Sequence, residues 1–181
     1  MLGKNHLITG LASWALVSSL QTESVTMPVL FAQFCIAGFA ALIADIDHPQ
    51  SMLGRRVKFI SVPLSILQGD ARLLPWSEST HSRGITHSIW PLIMCYFIAE
   101  SYPVFGLPLF VGMASHLLAD GLTYCGIRLL WPLPIRFRSP LPFATGSIYE
   151  YLVVGLMIIA TLQFYFGIII VPEHYLAFLN S

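Results

Sequence analysis

The chain is poor in charge. Only 10% of its 181 residues are Asp, Glu, Lys or Arg, and nine basic side chains balance nine acidic ones. An ordinary soluble domain carries roughly 25%. With 56% of residues apolar, too little polar surface remains to keep a soluble fold of this size in solution. The chain therefore reads as a membrane protein, and its length suits a single integral membrane domain over 1–181. The missing basic excess removes nucleic acid as a main partner. Cysteine is scarce as well: Cys35, Cys95 and Cys125 stand alone, in or near apolar stretches. No CxxC pair is present, so neither a cysteine zinc site nor a disulfide framework is expected. There is no GxSxG elbow and no Ser-His-Asp order, which leaves Ser88 and Ser115 without support as nucleophiles. No internal repeat or low-complexity tract occurs.

Five apolar stretches are present: Leu7–Leu20, Val29–Ala44, Ser88–Ala99, Leu107–Ala119 and Tyr151–Val171. A full span takes about 20 residues, and only the last stretch reaches that length cleanly. The others are shortened where polar residues enter their ends. Pro91, Pro103, Gly106 and Pro108 interrupt Ser88–Ala119, which could instead form a re-entrant hairpin. The expected fold is an all-α, polytopic membrane helix bundle with four to five membrane segments and a long interfacial cytoplasmic loop. Lys4 ahead of Leu7–Leu20 has the outline of a signal peptide, but no A-x-A site follows, so the segment is expected to be retained.

The basic residues set the topology. Lys4 precedes the first stretch. Arg55, Arg56, Lys58, Arg72 and Arg83 lie between the second and third, and Arg128, Arg136 and Arg138 between the fourth and fifth. Five crossings put all nine on one side; four crossings break that sorting. The positive-inside rule makes that side cytoplasmic, with the N-terminus inside, as in a multi-pass protein of a bacterial inner membrane. Within the first long connection, Val57–Leu67 reads as an interfacial helix, with Arg55, Arg56 and Lys58 placed for anionic headgroups; an ordinary basic loop is the competing reading. Trp131-Pro132-Leu133-Pro134 and Ser139-Pro140-Leu141-Pro142 suggest an extended, proline-stiffened segment.

On that topology the ionisable residues gather at the cytoplasmic boundary. His6 precedes the first stretch, and Asp45, Asp47 and His48 end the second. His81 and His87 precede the third, His116 and Asp120 close the fourth, and Glu150 opens the fifth. Only His174 falls in the outer tail. Ionisable groups at a membrane edge are costly unless paired, solvated or bound to an ion. Neutral imidazole and carboxylate are usual ligands of zinc and related divalent metals. His116 and Asp120 are i,i+4 and share a helical face, and Asp45 and His48 at i,i+3 can do likewise. Pro49 ends the second helix near His48. Each element also has a plainer reading: His81 as a loop histidine, Asp120 before Gly121 as a helix-end residue, Glu150 as a helix-dipole partner. The convergence of separate segments on one face favours a metal site.

Three motifs, Asp45-Ile46-Asp47-His48-Pro49, Arg83-Gly84-Ile85-Thr86-His87-Ser88 and Ser115-His116-Leu117-Leu118-Ala119-Asp120, resemble the bacterial membrane-bound metal-dependent hydrolases of the YdjM/YbcI type. The resemblance runs from His6 to about Glu150, and Trp131-Pro132 with Arg136-Phe137-Arg138 is similar to the family's downstream segment. One departure is visible: the family places a histidine directly before the Arg-Gly pair, whereas here Ser82 stands there and His81 one residue earlier. The resemblance implies hydrolysis. The HxxxD spacing, loosely similar to zinc-dependent phospholipases C and P1-type nucleases, points to phosphoesters.

The reaction expected is hydrolysis of a membrane-associated substrate, plausibly a lipid phosphoester. His6, Asp45, Asp47, His48, His81, His87, His116 and Asp120 are the candidate ligands of one or two divalent ions, zinc foremost. Asp47 or Glu150 would take a proton from water, and Arg83 would face phosphoryl charge, unless it is only a topogenic arginine. Membrane lipids are the expected partners. A non-hydrolytic transporter or ion-binding protein is the alternative, and so is a metal of purely structural use. Against transport, Gln33, Thr161 and Gln163 make no polar route through the outer half.

Overall fold

A computed structural model describes residues 1–21, 25–67, 84–133 and 135–165. His81, Arg83 and His174 lie outside them, as does most of the first long connection beyond Leu67. The described residues form six α-helices: α1 (Gly3–Ser19), α2 (Met27–Ile43), α3 (Lys58–Leu67), α4 (Ile89–Ser101), α5 (Pro103–Gly121) and α6 (Ile148–Tyr165). Short 3-10 turns at Ala44–Asp47 and Ile85–His87 follow α2 and precede α4. No strand occurs among the described residues, only single bridges pairing Thr123 with Phe143 and Ile127 with Phe137.

Among the described residues, which end at Tyr165 within the last apolar stretch, two helices are long and apolar enough to cross a membrane, Met27–Asp47 and Pro103–Gly121. This corrects the reading that only the last stretch is long enough. The 3-10 turn extends α2 to 21 residues, and α5 starts at Pro103, where a proline in the first turn lacks only an amide that has no helical partner anyway. α4 has 13 residues, about 20 Å at 1.5 Å per residue, and joins α5 through Tyr102 alone as a tight helical hairpin. α2 stops where the sequence suggests, with His48 in extended geometry before Pro49.

The bundle is built with its polarity inverted. Asn5, His6, Thr9, His116, Asp120 and Glu150 are buried, while Phe31, Phe97, Leu118 and Leu156 face outward. Lipid tails tolerate apolar side chains but not unpaired polar ones, so this sorting suits a bilayer. Helix packing in lipid gains little from hydrophobicity and relies on close approach through small residues. α1, α2 and α5 meet through such contacts. A side chain at Gly10 would strike Ala41 and the Ala37 carbonyl, and one at Gly112 would strike the Ala37 carbonyl and Ala40. Gly112 lies one turn before His116, so the contact that brings α5 against α2 also delivers that histidine.

The connection from α5 to α6 folds back over the same end. Ile89 N–H donates to Leu129 O at 2.8 Å, and Trp90 Nε1 to Trp131 O at 2.8 Å, which ties the start of α4 to this segment. Ser139 N–H donates to Gly121 O at the end of α5.

Candidate metal centre

Every helix that delivers a site residue does so at the same end of the bundle. The N-terminal ends of α1 and α6, the 3-10 turns after α2 and before α4, and the last turn of α5 carry His6, Glu150, Asp45, His87, and His116 with Asp120. Four of these converge. Ligand atoms of Asp45, His87, His116 and Asp120 all lie within 4.8 Å of one another, and the group could hold a metal ion.

The individual separations define the shape. His87 Nε2 lies 3.1 Å from His116 Nε2, 3.2 Å from Asp45 Oδ1 and 3.4 Å from Asp120 Oδ2. His116 Nε2 lies 3.7 Å from Asp45 Oδ1 and 3.5 Å from Asp120 Oδ2. Metal–ligand bonds of about 2.0–2.1 Å in a tetrahedron give edges of about 3.3 Å. The five separations above, 3.1–3.7 Å, lie near that value.

Hydrogen bonds on the far side of each ring decide which nitrogen faces the centre. His116 Nδ1 sits 2.6 Å from the Ala41 carbonyl. A carbonyl only accepts, so Nδ1 carries the proton and the neutral ring presents its Nε2 lone pair inward. For His87, the Thr86 hydroxyl donates to Asp47 Oδ2 and therefore accepts from His87 Nδ1, 3.2 Å away. Two bare Nε2 atoms at 3.1 Å would repel unless a cation or a proton sat between them. Burial opposes charge on His87, but the carboxylates of Asp120, Asp45 and Asp47 outweigh it and hold the imidazole well above its usual value. The residues present therefore fit a divalent metal: two imidazoles with outward tautomers set, two carboxylates, and an electrostatic demand for positive charge.

The other sequence candidates stand around this core. His6 stacks on His116 with ring centroids 3.8 Å apart, and its Nε2 is 3.2 Å from Asp120 Oδ1, the oxygen turned away from the four-atom group. The Met1 amine also reaches that oxygen at 2.6 Å. Asp47 approaches His87 at Nδ1, 3.8 Å away, and so stands behind the ring rather than in front of it. His48 is half-buried and is not one of the converging four. Glu150 is fully buried, and its carboxylate accepts from Leu2 N–H at 2.8 Å, Gly146 N–H at 2.7 Å and the Asn5 amide. It thus joins the start of α6 to the start of α1.

Sequence reasoning passed over Thr86, Asn5 and the Ala41 carbonyl. Thr86 sits inside a motif that was noticed, but nothing in its type marks it as the hydroxyl between a carboxylate and an imidazole. Asn5 had a signal, being a polar residue heading an apolar helix. A backbone carbonyl has none.

The chain matches the family described as YdjM inner membrane protein over residues 1–178. It is 34% identical over 169 residues to the protein YvsG of Bacillus subtilis (strain 168), covering 92% of this chain and 95% of YvsG. It is 38% identical over 108 residues to the inner membrane protein YdjM of Escherichia coli (strain K12), which covers 55% of this chain and 49% of that protein. Transmembrane protein 267 of Bos taurus is 28% identical over 142 residues, 76% of this chain and 57% of that one. No solved structure matches. The chain belongs to the YdjM inner membrane protein family, as its three motifs implied.

Proposed function

We propose that the protein is a membrane-bound, metal-dependent hydrolase that acts on a membrane-associated phosphoester such as that of a lipid. The observation that carries this reading is the convergence of His87 Nε2 and His116 Nε2 with Asp45 Oδ1 and Asp120 Oδ2 at separations of 3.1–3.7 Å for the five pairs that include a histidine. A divalent ion there, zinc by its donor set, supplies Lewis acidity and lowers the pKa of water.

The protein's own groups divide the remaining work. His87, His116, Asp120 and Asp45 would hold the ion; the first three are buried, whereas Asp45 is 18% exposed and is the one reached by water. Four donors suit one ion, with His6 bracing the outer oxygen of Asp120. Asp47 stands behind His87 and, through Thr86, orients that ring, and the Glu150 oxygens already accept three N–H groups, so neither is the group that takes a proton from water. The membrane arrangement proposed with this chemistry has five crossings, every Lys and Arg on the cytoplasmic side and the site facing the cytoplasm.

Transport through the bundle is the weaker reading. Gln33 Nε2 donates to Val104 O at 2.8 Å and Thr161 Oγ1 to Met157 O at 2.8 Å, so both serve helix contacts rather than a polar path.

The test is metal analysis of protein purified without chelators, followed by a screen of phosphoesters and lipids, comparing wild type with His116→Ala and Asp45→Ala. Bound metal and turnover in wild type, both lost in the variants, are expected. Metal-free wild-type protein overturns the site, and metal with ion flux in vesicles but no turnover overturns hydrolysis.

A further inference from the structure

The helix after the Asp45 turn has its two faces reversed relative to a soluble helix. In α3 the serines point inward: Ser61 and Ser65, one turn apart, are buried. The apolar side chains point outward, with Phe59 78%, Ile60 41% and Ile66 54% exposed. In water such a helix would hide Phe59 and Ile66 and present its serines. Three basic residues, Arg55, Arg56 and Lys58, lie at its N-terminal end, and all are exposed. An apolar outer face bordered by clustered cations complements an anionic bilayer surface, where the face enters the acyl boundary and the cations meet phosphates.

The inner face is wired to the candidate metal centre. Ser61 Oγ donates to Gly54 O at 2.9 Å, and Gly54 N–H donates to Ser51 Oγ at 2.8 Å. Ser51 Oγ in turn donates to Asp45 O at 2.7 Å. The buried serine face therefore continues, through three hydrogen bonds, to the backbone of Asp45.

We propose that α3 is an interfacial helix whose partner is an anionic phospholipid surface. Phe59, Ile60 and Ile66 enter the headgroup–acyl boundary, Arg55, Arg56 and Lys58 hold headgroup phosphates, and the serine relay sets the Asp45 turn at headgroup depth. This inference stands on α3 itself and is independent of hydrolysis.

The test uses the full-length protein in nanodiscs of phosphatidylcholine, with and without phosphatidylglycerol. After Cys35, Cys95 and Cys125 are replaced by Ala, nitroxide labels are placed through Phe59→Cys, Ile66→Cys and, as an exposed reference, Gln50→Cys. Collision with oxygen and with a water-soluble nickel chelate is read by electron paramagnetic resonance. Positions 59 and 66 are expected to meet the nickel chelate several-fold less than position 50 and oxygen more, with the contrast greatest when phosphatidylglycerol is present. Combined Arg55→Gln, Arg56→Gln and Lys58→Gln should abolish the phosphatidylglycerol effect. Nickel access equal to that of position 50 overturns the proposal. Shielding from both reagents also overturns it and indicates a protein partner, and an undiminished phosphatidylglycerol effect in the triple variant overturns the role of the cations.

Discussion

His87 Nε2 and His116 Nε2 lie 3.1 Å apart, and each ring is held at its other nitrogen, His116 by the Ala41 carbonyl and His87 by the Thr86 hydroxyl. Neither imidazole can relieve the repulsion by turning its N–H inward without leaving a buried acceptor unpaired. The arrangement thus asks for a shared proton or metal ion.

That constraint makes metal binding pH-dependent. The carboxylates of Asp120, Asp45 and Asp47 raise His87 well above its usual value, so in the metal-free site a proton competes for that ring. A metal must displace that proton. Affinity should therefore fall as pH drops below the raised value, by about tenfold per pH unit for one proton, and level off above it. Calorimetry in buffers of different ionisation enthalpy checks this: binding below the raised value should release a proton, and no release there would contradict the assignment.

Thr86→Val removes the hydroxyl linking Asp47 to His87 Nδ1 while keeping the side-chain volume. Loss of such an outer partner typically costs about 10–100-fold in metal affinity. Competition with a chelating dye should show a drop of that order, with helicity by circular dichroism unchanged. Thr86→Ser, which retains the hydroxyl, should restore most of the affinity.

Gly112→Leu tests the packing that delivers His116. Its side chain would meet the Ala37 carbonyl and Ala40 of α2. Overpacking costs about 1–3 kcal/mol, and more against backbone. A lower thermal midpoint in detergent and weakened metal retention should appear together, because His116 reaches Ala41 O only if α5 lies close to α2.

Glu150→Ala should separate stability from metal binding. Three N–H donors would lose a charged acceptor inside the bundle. A loss of about 2–3 kcal/mol is expected, seen as a lower unfolding midpoint. Metal stoichiometry measured below that midpoint should remain that of wild type, since Glu150 is not among the four converging groups. Loss of metal without loss of stability would reverse the assignment.

Much of this was legible in the sequence. The shortage of charge, the motifs ending in Asp45, His87 and Asp120, and the i,i+4 pairing of His116 with Asp120 depend only on composition and helical period, which are local. The family and the all-helical character followed from the same features. The length of α2 was misread because a 3-10 turn carries it through Asp45 to Asp47, and a count of apolar residues stops at the first carboxylate.

Tertiary structure decided what those residues do to one another. Asp45 and Asp47 differ by two positions in sequence, yet one faces the Nε2 atoms and the other stands behind His87. Glu150 resembles a helix-dipole carboxylate in sequence but braces the start of α1. These distinctions come from contacts between segments far apart along the chain, set by how closely Gly10 and Gly112 let α1 and α5 approach α2. The convergence of ligand types at one end of the helices was readable from sequence. The close pair of imidazole nitrogens, which needs a proton or a metal ion between them, was not, because it rests on hydrogen bonds to a carbonyl and a hydroxyl on the far side of each ring.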